Sequence, residues 1–229
     1  MSASEAKLHP TLHTEPATGL YLLGVVREEG GQQMPAGAAG ECVLILHREI
    51  AALARPGPFE IPEMTKDQVM LHQRELDQVM QRSTVAPAPF GIVFRDRASV
   101  LRFLEEQYLP LREALALVEG RWEFRLHIRD EENRSDPALT RDVATHIYAE
   151  LRRITHSAVP FPSEGRNFFS AAFLVEREVT SRFLDRVEEL GELDQALVLD
   201  VTGPWPPYDF VRISVGSEGG EVGKPSGSP

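Results

Sequence analysis

The chain has 229 residues, of which 42% are hydrophobic and 26% are charged, the ordinary composition of a globular protein that builds its own core. Its 35 acidic and 24 basic residues give a formal net charge of −11, which argues against nonspecific binding to nucleic acid, since such binding depends on clustered lysine and arginine. One cysteine excludes an intramolecular disulfide, and without an apolar signal-peptide core or a run of about 20 apolar residues the sequence predicts a soluble cytoplasmic protein.

Both ends of the chain are predicted to be disordered tails, residues 1–17 and 214–229. The second tail is nearly all Gly, Ser, Glu and Pro, which bury too little apolar surface to offset the entropy of ordering. After the first tail, an aliphatic and β-branched run predicts a strand over residues 20–26, followed by a Gly/Ala-rich loop over 27–41. Two short strands are predicted next, over 43–47 and 50–55.

Two helices and a short strand complete the predicted first half. Thr65 and Gln68 have the spacing of a capping box, and the helix they start carries one apolar face. A short strand is predicted over residues 91–94. A long helix is predicted over 96–118, with a kink at Pro110 and a stop at Gly120. Its apolar stripe has spacings of three and four residues: Leu101, Leu104, Tyr108, Leu111, Leu115 and Val118.

The second half alternates again between strands and helices. Residues 122–128 alternate apolar and polar side chains, as a half-buried strand does. A helix is predicted to follow the Asp136-Pro137 cap, and an apolar run over 168–175 predicts a central strand. The last predicted elements are a helix over 179–190, capped by Gly191, and a strand over 197–201.

This order of elements predicts an α+β fold of two small domains, residues 18–120 and 121–213. Helices on one face of a sheet would suit both.

The sequence lacks the common catalytic motifs. A Gly-x-Ser-x-Gly elbow, a Walker loop and a His-Glu-x-x-His zinc motif do not occur, and the glycine-rich stretch 37–40 precedes a strand rather than a helix. His9 and His13 have a metal-ligand spacing but fall in a predicted tail. We therefore predict no enzyme, no cofactor and no metal site. The alternative is an enzyme or a small-ligand-binding regulator, which would need His72 or His127 beside a carboxylate in a pocket.

The most unusual local sequence is residues 202–210, Thr-Gly-Pro-Trp-Pro-Pro-Tyr-Asp-Phe. Three prolines favour a stiff, extended, polyproline-like backbone, and a stiff segment loses little entropy when it docks. Its aromatic side chains could dock on the protein's own surface and close the second domain, or they could contact a partner. The two interpretations are compatible. Trp205, Tyr208 and Phe210 are therefore the candidate partner-binding residues.

Residues 203–210 resemble the Gly-Pro-Trp-Pro-Pro-Tyr-x-Phe signature near the C-terminus of the GvpF/GvpL gas vesicle protein family. Three further segments resemble family strands in the expected order, residues 21–26, 90–94 and 171–175, so the resemblance spans about residues 18–212. One departure is Pro89, which stands where the family usually has an arginine.

The resemblance implies a modified ferredoxin-like N-terminal domain and a second α+β domain at the C-terminus. It also implies a non-enzymatic role in assembling the gas vesicle, a protein-walled, gas-filled compartment, and hence a location in the cytoplasm and at the vesicle. The implied partners are the hydrophobic shell protein and other gas vesicle accessory proteins, with no nucleic acid and no membrane. As a mechanism, a soluble acidic protein could keep an apolar shell subunit dispersed until it joins the wall.

Overall fold

The computed structural model describes residues 18–27, 42–130, 137–163, 167–194 and 196–215. It contains two antiparallel sheets with helices packed against them, which confirms the α+β class. The elements in chain order are β1 (Thr18–Arg27), β2 (Val43–His47), β3 (Ile50–Pro58), α1 (Lys66–Met80), β4 (Val85–Pro87), β5 (Val93–Phe94), α2 (Arg97–Glu106), α3 (Tyr108–Val118), β6 (Arg121–Asp130), α4 (Pro137–Arg153), β7 (Ser157–Pro160), β8 (Asn167–Glu176), α5 (Thr180–Gly191) and β9 (Leu197–Trp205).

The first sheet has helices on both of its faces. Its strand order is β2-β3-β1-β4, and the short β5 also pairs with β1. Both β1 and β3 contain runs of five buried residues, so neither face of these strands can be left to solvent. Helix α1 covers one face and forms the α1-side cluster, which consists of Leu23, Val26, Ala51, Leu53, Leu76, Val79, Met80 and Val85. Helices α2 and α3 cover the other face and form the α3-side cluster, which includes Phe94, Phe103, Leu111, Leu115 and Val118. The prediction of helices on one face is therefore wrong for this sheet.

The second sheet has the strand order β7-β8-β6-β9, with every neighbouring pair antiparallel. Its element order, β-α-β-β-α-β, is that of the split β-α-β motif. Helices α4 and α5 share a core with one face of the sheet. In this core the Phe183 ring lies against both Phe124 and Phe173, with its centroid 5.5 Å from each of theirs. The ferredoxin-like description of the first half stays a prediction.

The long helix predicted over residues 96–118 is two helices. The break lies at Gln107 (φ −100°, ψ 12°) and not at Pro110. Pro110 is the third residue of α3, in the first turn, where a missing amide hydrogen removes no bond within the helix. The start of α2 is capped by Asp96, whose Oδ1 accepts from the Ser99 amide at 2.8 Å.

Other element boundaries differ from the predictions at their ends. Strand β3 continues through Pro58 and β9 through Trp205, and the short strands β4 and β7 were not predicted. Thr65 does cap α1, since its Oγ1 accepts from the Gln68 amide at 3.3 Å. The predictions for the tail 1–17, for most of the loop 27–41, for the Asp136 cap and for residues 216–229 lie outside the described residues. No helix in the described part of the chain is long and apolar enough to span a membrane.

After β9 the chain returns to the first half, and we call residues 206–215 the strap. Val211 and Ile213 are buried in the α3-side cluster, and Val215 packs against it. Arg212 and Ser214, which alternate with them, are exposed, as expected for an extended segment with one side against a core. The core of the first half thus includes residues from beyond the predicted boundary near Gly120. The predicted tail 214–229 begins inside this packed segment.

We predict that the strap contributes strongly to stability. Ile213→Ala should lower the free energy of unfolding by about 2–4 kcal/mol, because it removes a buried aliphatic side chain and leaves a cavity. The neighbouring exposed substitution Arg212→Ala should change it by less than about 0.5 kcal/mol. Urea denaturation of both variants provides the measurement. Equal transition midpoints for the two variants would show that the strap does not complete this core.

Candidate functional site: the junction of the two halves

The junction is built around the start of β6, directly after Gly120, which has a positive φ of 68°. Trp122 contacts both the α1-side cluster and the core of the second half. The Arg177 guanidinium lies 5.1 Å from the centroid of the Trp122 ring, and its Nη2 donates to the Met80 carbonyl at 2.9 Å. Arg177 therefore ties the turn before α5 to the end of α1.

Nearer to solvent, an ion pair within the first half links the end of β1 to the residue before Gly120. Arg27, at the end of β1, donates to both carboxylate oxygens of Glu119 at 2.9 and 3.0 Å. Because both side chains are substantially exposed, this pair adds little to stability by itself.

The most unusual group at the junction is the Glu123 carboxylate, which has no solvent exposure. Arg125 Nε donates to Glu123 Oε1 at 2.8 Å and to Asp209 Oδ2 at 2.9 Å. The Asp209 backbone N–H donates to Glu123 Oε2 at 2.8 Å. Both oxygens of the buried carboxylate are thus hydrogen-bonded, one by β6 and the other by the strap.

Burial raises the pKa of Glu123 to about 8. Removal from water is the largest cause, because the charged form loses its hydration, and the Asp209 carboxylate acts in the same direction. The hydrogen bond from the Asp209 amide and the charge of Arg125 oppose this rise. At neutral pH the group is therefore mainly in its protonated, neutral form, and it becomes charged as the pH rises past about 8.

The aromatic segment 202–210 begins as a strand and ends in a turn. Trp205 lies opposite Glu123 in the ladder between β9 and β6, and its Nε1 donates to Thr202 Oγ1 at 3.0 Å. Gly203 has a φ of 133°, and a Cβ there would lie 2.8 Å from the Glu123 carbonyl oxygen, so only glycine fits. Beyond Trp205, the Phe210 amide donates to the Pro207 carbonyl at 3.3 Å and closes the turn.

The three candidate partner-binding residues are all half-buried. Tyr208 packs against the α1-side cluster, and burial, with smaller contributions from Asp77 and Glu123, raises its pKa above the usual range. The segment therefore docks on the protein's own surface, and it does so at the junction rather than on the second half alone. Trp205 and Phe210 keep part of their surface in solvent, and a role in binding a partner stays a prediction.

The two histidines that the alternative function requires lie in different halves. His72, on α1, is 6% exposed, its Nε2 is 3.1 Å from the Ala88 carbonyl oxygen, and burial lowers its pKa. His127, on β6, has its Nδ1 2.9 Å from Ser170 Oγ. Neither of these hydrogen bonds involves a carboxylate. Within the described ranges no group of three or more His, Cys, Asp or Glu side chains could hold a metal ion, and His9 and His13 lie outside those ranges.

Glu123, Arg125 and Asp209 were not predicted as site residues. Their alternation with apolar neighbours along β6 assigns Glu123 and Arg125 to the solvent side of the sheet. The strap covers that side at the start of β6. Because the strap lies about 85 residues later in the chain, the local pattern of β6 cannot predict that these residues are buried.

We predict that Glu123 makes stability depend on pH. Its pKa in the folded protein is above the ordinary value of 4.5, so the folded state binds the proton more tightly and stability falls as pH rises from about 4.5 to 8. Glu123→Gln cannot ionise, and the fall in unfolding free energy over this range should be smaller. The comparison is urea denaturation of both proteins from pH 5 to 9, with the exposed Glu188→Gln as the control. An unchanged pH slope in Glu123→Gln would contradict the prediction.

The family model described as "Gas vesicle synthesis protein GvpL/GvpF" matches residues 19–142 and 137–212, which together cover both halves and the aromatic segment. Gas vesicle protein F of Haloferax mediterranei is 28% identical over 209 residues, covering 87% of this chain and 96% of that protein. Gas vesicle protein F1 of Halobacterium salinarum is 24% identical over 211 residues, covering 90% and 98%. For gas vesicle protein L of Haloferax mediterranei the identity is 22%, covering 66% and 63%.

Two crystal structures have the same fold. GvpF from Anabaena sp. PCC7120 superposes with a TM-score of 0.74 at 20% identity, covering 86% of this chain and 98% of that one. GvpF from Microcystis aeruginosa superposes with a TM-score of 0.71 at 17% identity, covering 85% and 99%. Since the family model matches nearly the whole folded chain, this protein belongs to the GvpL/GvpF family of gas vesicle synthesis proteins.

Proposed function

We propose that this chain is an accessory protein of gas vesicle assembly, which binds the hydrophobic shell protein and helps its incorporation into the growing wall. The observation that carries the proposal is the family match over both halves and over the aromatic segment. Other gas vesicle proteins are further partners in this proposal. The protein acts in the cytoplasm and at the vesicle, and its first half is a modified ferredoxin-like domain.

The physical need for such a protein follows from the shell itself. A subunit that lines a gas space must present an apolar face, and that face associates nonspecifically in water before the wall is built. A carrier must offer apolar contact area and remain soluble while it does so. The net charge of −11 supports solubility, because like-charged proteins repel one another.

The aromatic segment is suited to supply part of this contact area. Its backbone is held by the β9–β6 ladder before Trp205 and by the bond from the Asp209 amide to Glu123 after it. Side chains on a backbone that is already fixed lose little entropy when a partner binds. Trp205 and Phe210, which keep part of their surface in solvent, are the residues we assign to the contact. Tyr208 packs against the α1-side cluster and holds the segment in place.

The test is a binding assay between the full chain and the purified major shell protein. Trp205→Ala with Phe210→Ala should weaken binding by about tenfold or more, because aromatic anchors dominate contacts of this kind. Phe168→Ala, on β8 and 36% exposed, removes a solvent-exposed aromatic ring elsewhere and should leave binding unchanged.

Two results would contradict the proposal at different levels. Full binding by the folded Trp205→Ala/Phe210→Ala variant would give the segment a purely structural role. Normal vesicle formation in cells that lack this chain, together with no binding of the shell protein, would reject the assembly function.

A further inference from the structure

Helix α1 carries an apolar pair on the side that faces away from the core. Its core-facing side chains are buried: His72, Leu76, Val79 and Met80. The opposite side holds five exposed residues at intervals that keep them on one stripe. This α1 stripe consists of Asp67, Met70, Leu71, Arg74 and Gln78.

The apolar pair is unusual for its position. Met70 is 38% exposed and Leu71 is 42% exposed, and every residue of α1 from 66 to 71 is exposed. The solvent side of a surface helix is ordinarily polar. Met64, in the residues that lead into the helix, is 77% exposed and extends the apolar surface.

The charges on either side of the pair have opposite signs. Asp67 lies about one turn before it and Arg74 about one turn after it. They are seven residues apart, about 10.5 Å along the axis, so they cannot pair with each other within the helix. Neither forms an ion pair with another described residue, whereas the neighbouring Glu75 is held by Arg55 at 2.8 Å.

We propose that this stripe is a self-association surface, on which α1 packs antiparallel against α1 of a second copy of the chain. Along α1 the stripe runs from an acidic residue through the apolar pair to a basic residue. When a second α1 runs in the opposite direction, each acidic residue faces a basic one and the two apolar pairs face each other. In an antiparallel pair centred between residues 70 and 71, Met70 meets the partner's Leu71 and Asp67 meets the partner's Arg74. Two-fold symmetry repeats both contacts. A parallel pair would instead place like charges together, so the charges select the antiparallel arrangement.

The contact is small and closes on itself. Two turns of helix bury much less area than a standard protein interface, so we expect weak affinity. The dimer therefore forms only at high local concentrations of the chain. Because the same patch is used by both copies, association stops at two and does not extend into a filament. The stripe is separate from the aromatic segment, so its test is independent of shell-protein binding.

The experiment is sedimentation velocity of the full chain over a concentration series up to about 1 mM. The native chain should show a monomer–dimer equilibrium. Asp67→Arg and Arg74→Asp should each weaken it several-fold, because each places two like-charged pairs in the contact. The double variant Asp67→Arg/Arg74→Asp exchanges the two charges and should restore it.

An apolar substitution with a matched control completes the test. Leu71→Asp should weaken the dimer by at least about tenfold, since it buries a charge at the centre of the contact. Leu184→Asp, on α5 and 41% exposed, alters a leucine of nearly the same exposure and should have no effect. Circular dichroism verifies that each variant is folded.

The proposal is overturned by a chain that stays monomeric throughout the series. It is also overturned if the charge-exchanged double variant remains as weak as the single variants, or if Leu71→Asp and Leu184→Asp associate alike.

Discussion

The Glu123 carboxylate is withdrawn from water, and two distant parts of the chain supply its hydrogen bonds, Arg125 on β6 and the Asp209 amide on the strap. A buried carboxyl group, charged or protonated, is costly unless hydrogen bonds replace its lost hydration. The strap must therefore place one particular amide beside one particular oxygen. That requirement fixes the position of the strap along β6. With the strap in this position, Val211 and Ile213 face the α3-side cluster.

The two halves are consequently not independent, although each has its own sheet and its own core. Trp122 fills space in both, Arg177 reaches from the turn before α5 to the end of α1, and the strap contributes side chains to the first core. These contacts hold the two halves together on either side of the aromatic segment. A segment with three prolines and three aromatic rings keeps its shape there because both of its ends are anchored.

The sequence predicts those elements whose patterns are local and long. The strands β1, β2 and β8 and the helices α1 and α5 follow from aliphatic runs, caps and three–four spacing. Strands of three or four residues, such as β4 and β7, exist only because a longer neighbour pairs with them. The break at Gln107 was misplaced to Pro110, since proline disrupts a helix interior but is harmless in a first turn. For the aromatic segment the sequence leaves docking on the protein's own surface and contact with a partner both open, and the structure shows the docking. The pattern of β6 places Glu123 on the solvent side, because burial by a segment 86 residues away does not alter the alternation of apolar and polar residues within a strand.

The return of the strap also bears on how the polypeptide is made. Domains commonly fold in order as they leave the ribosome. Here the α3-side cluster includes Val211 and Ile213, which are synthesised after the whole second sheet. While the nascent chain is being extended, the apolar side chains that Val211 and Ile213 cover therefore lack this cover, and the first core is completed only when translation has delivered the residues beyond β9.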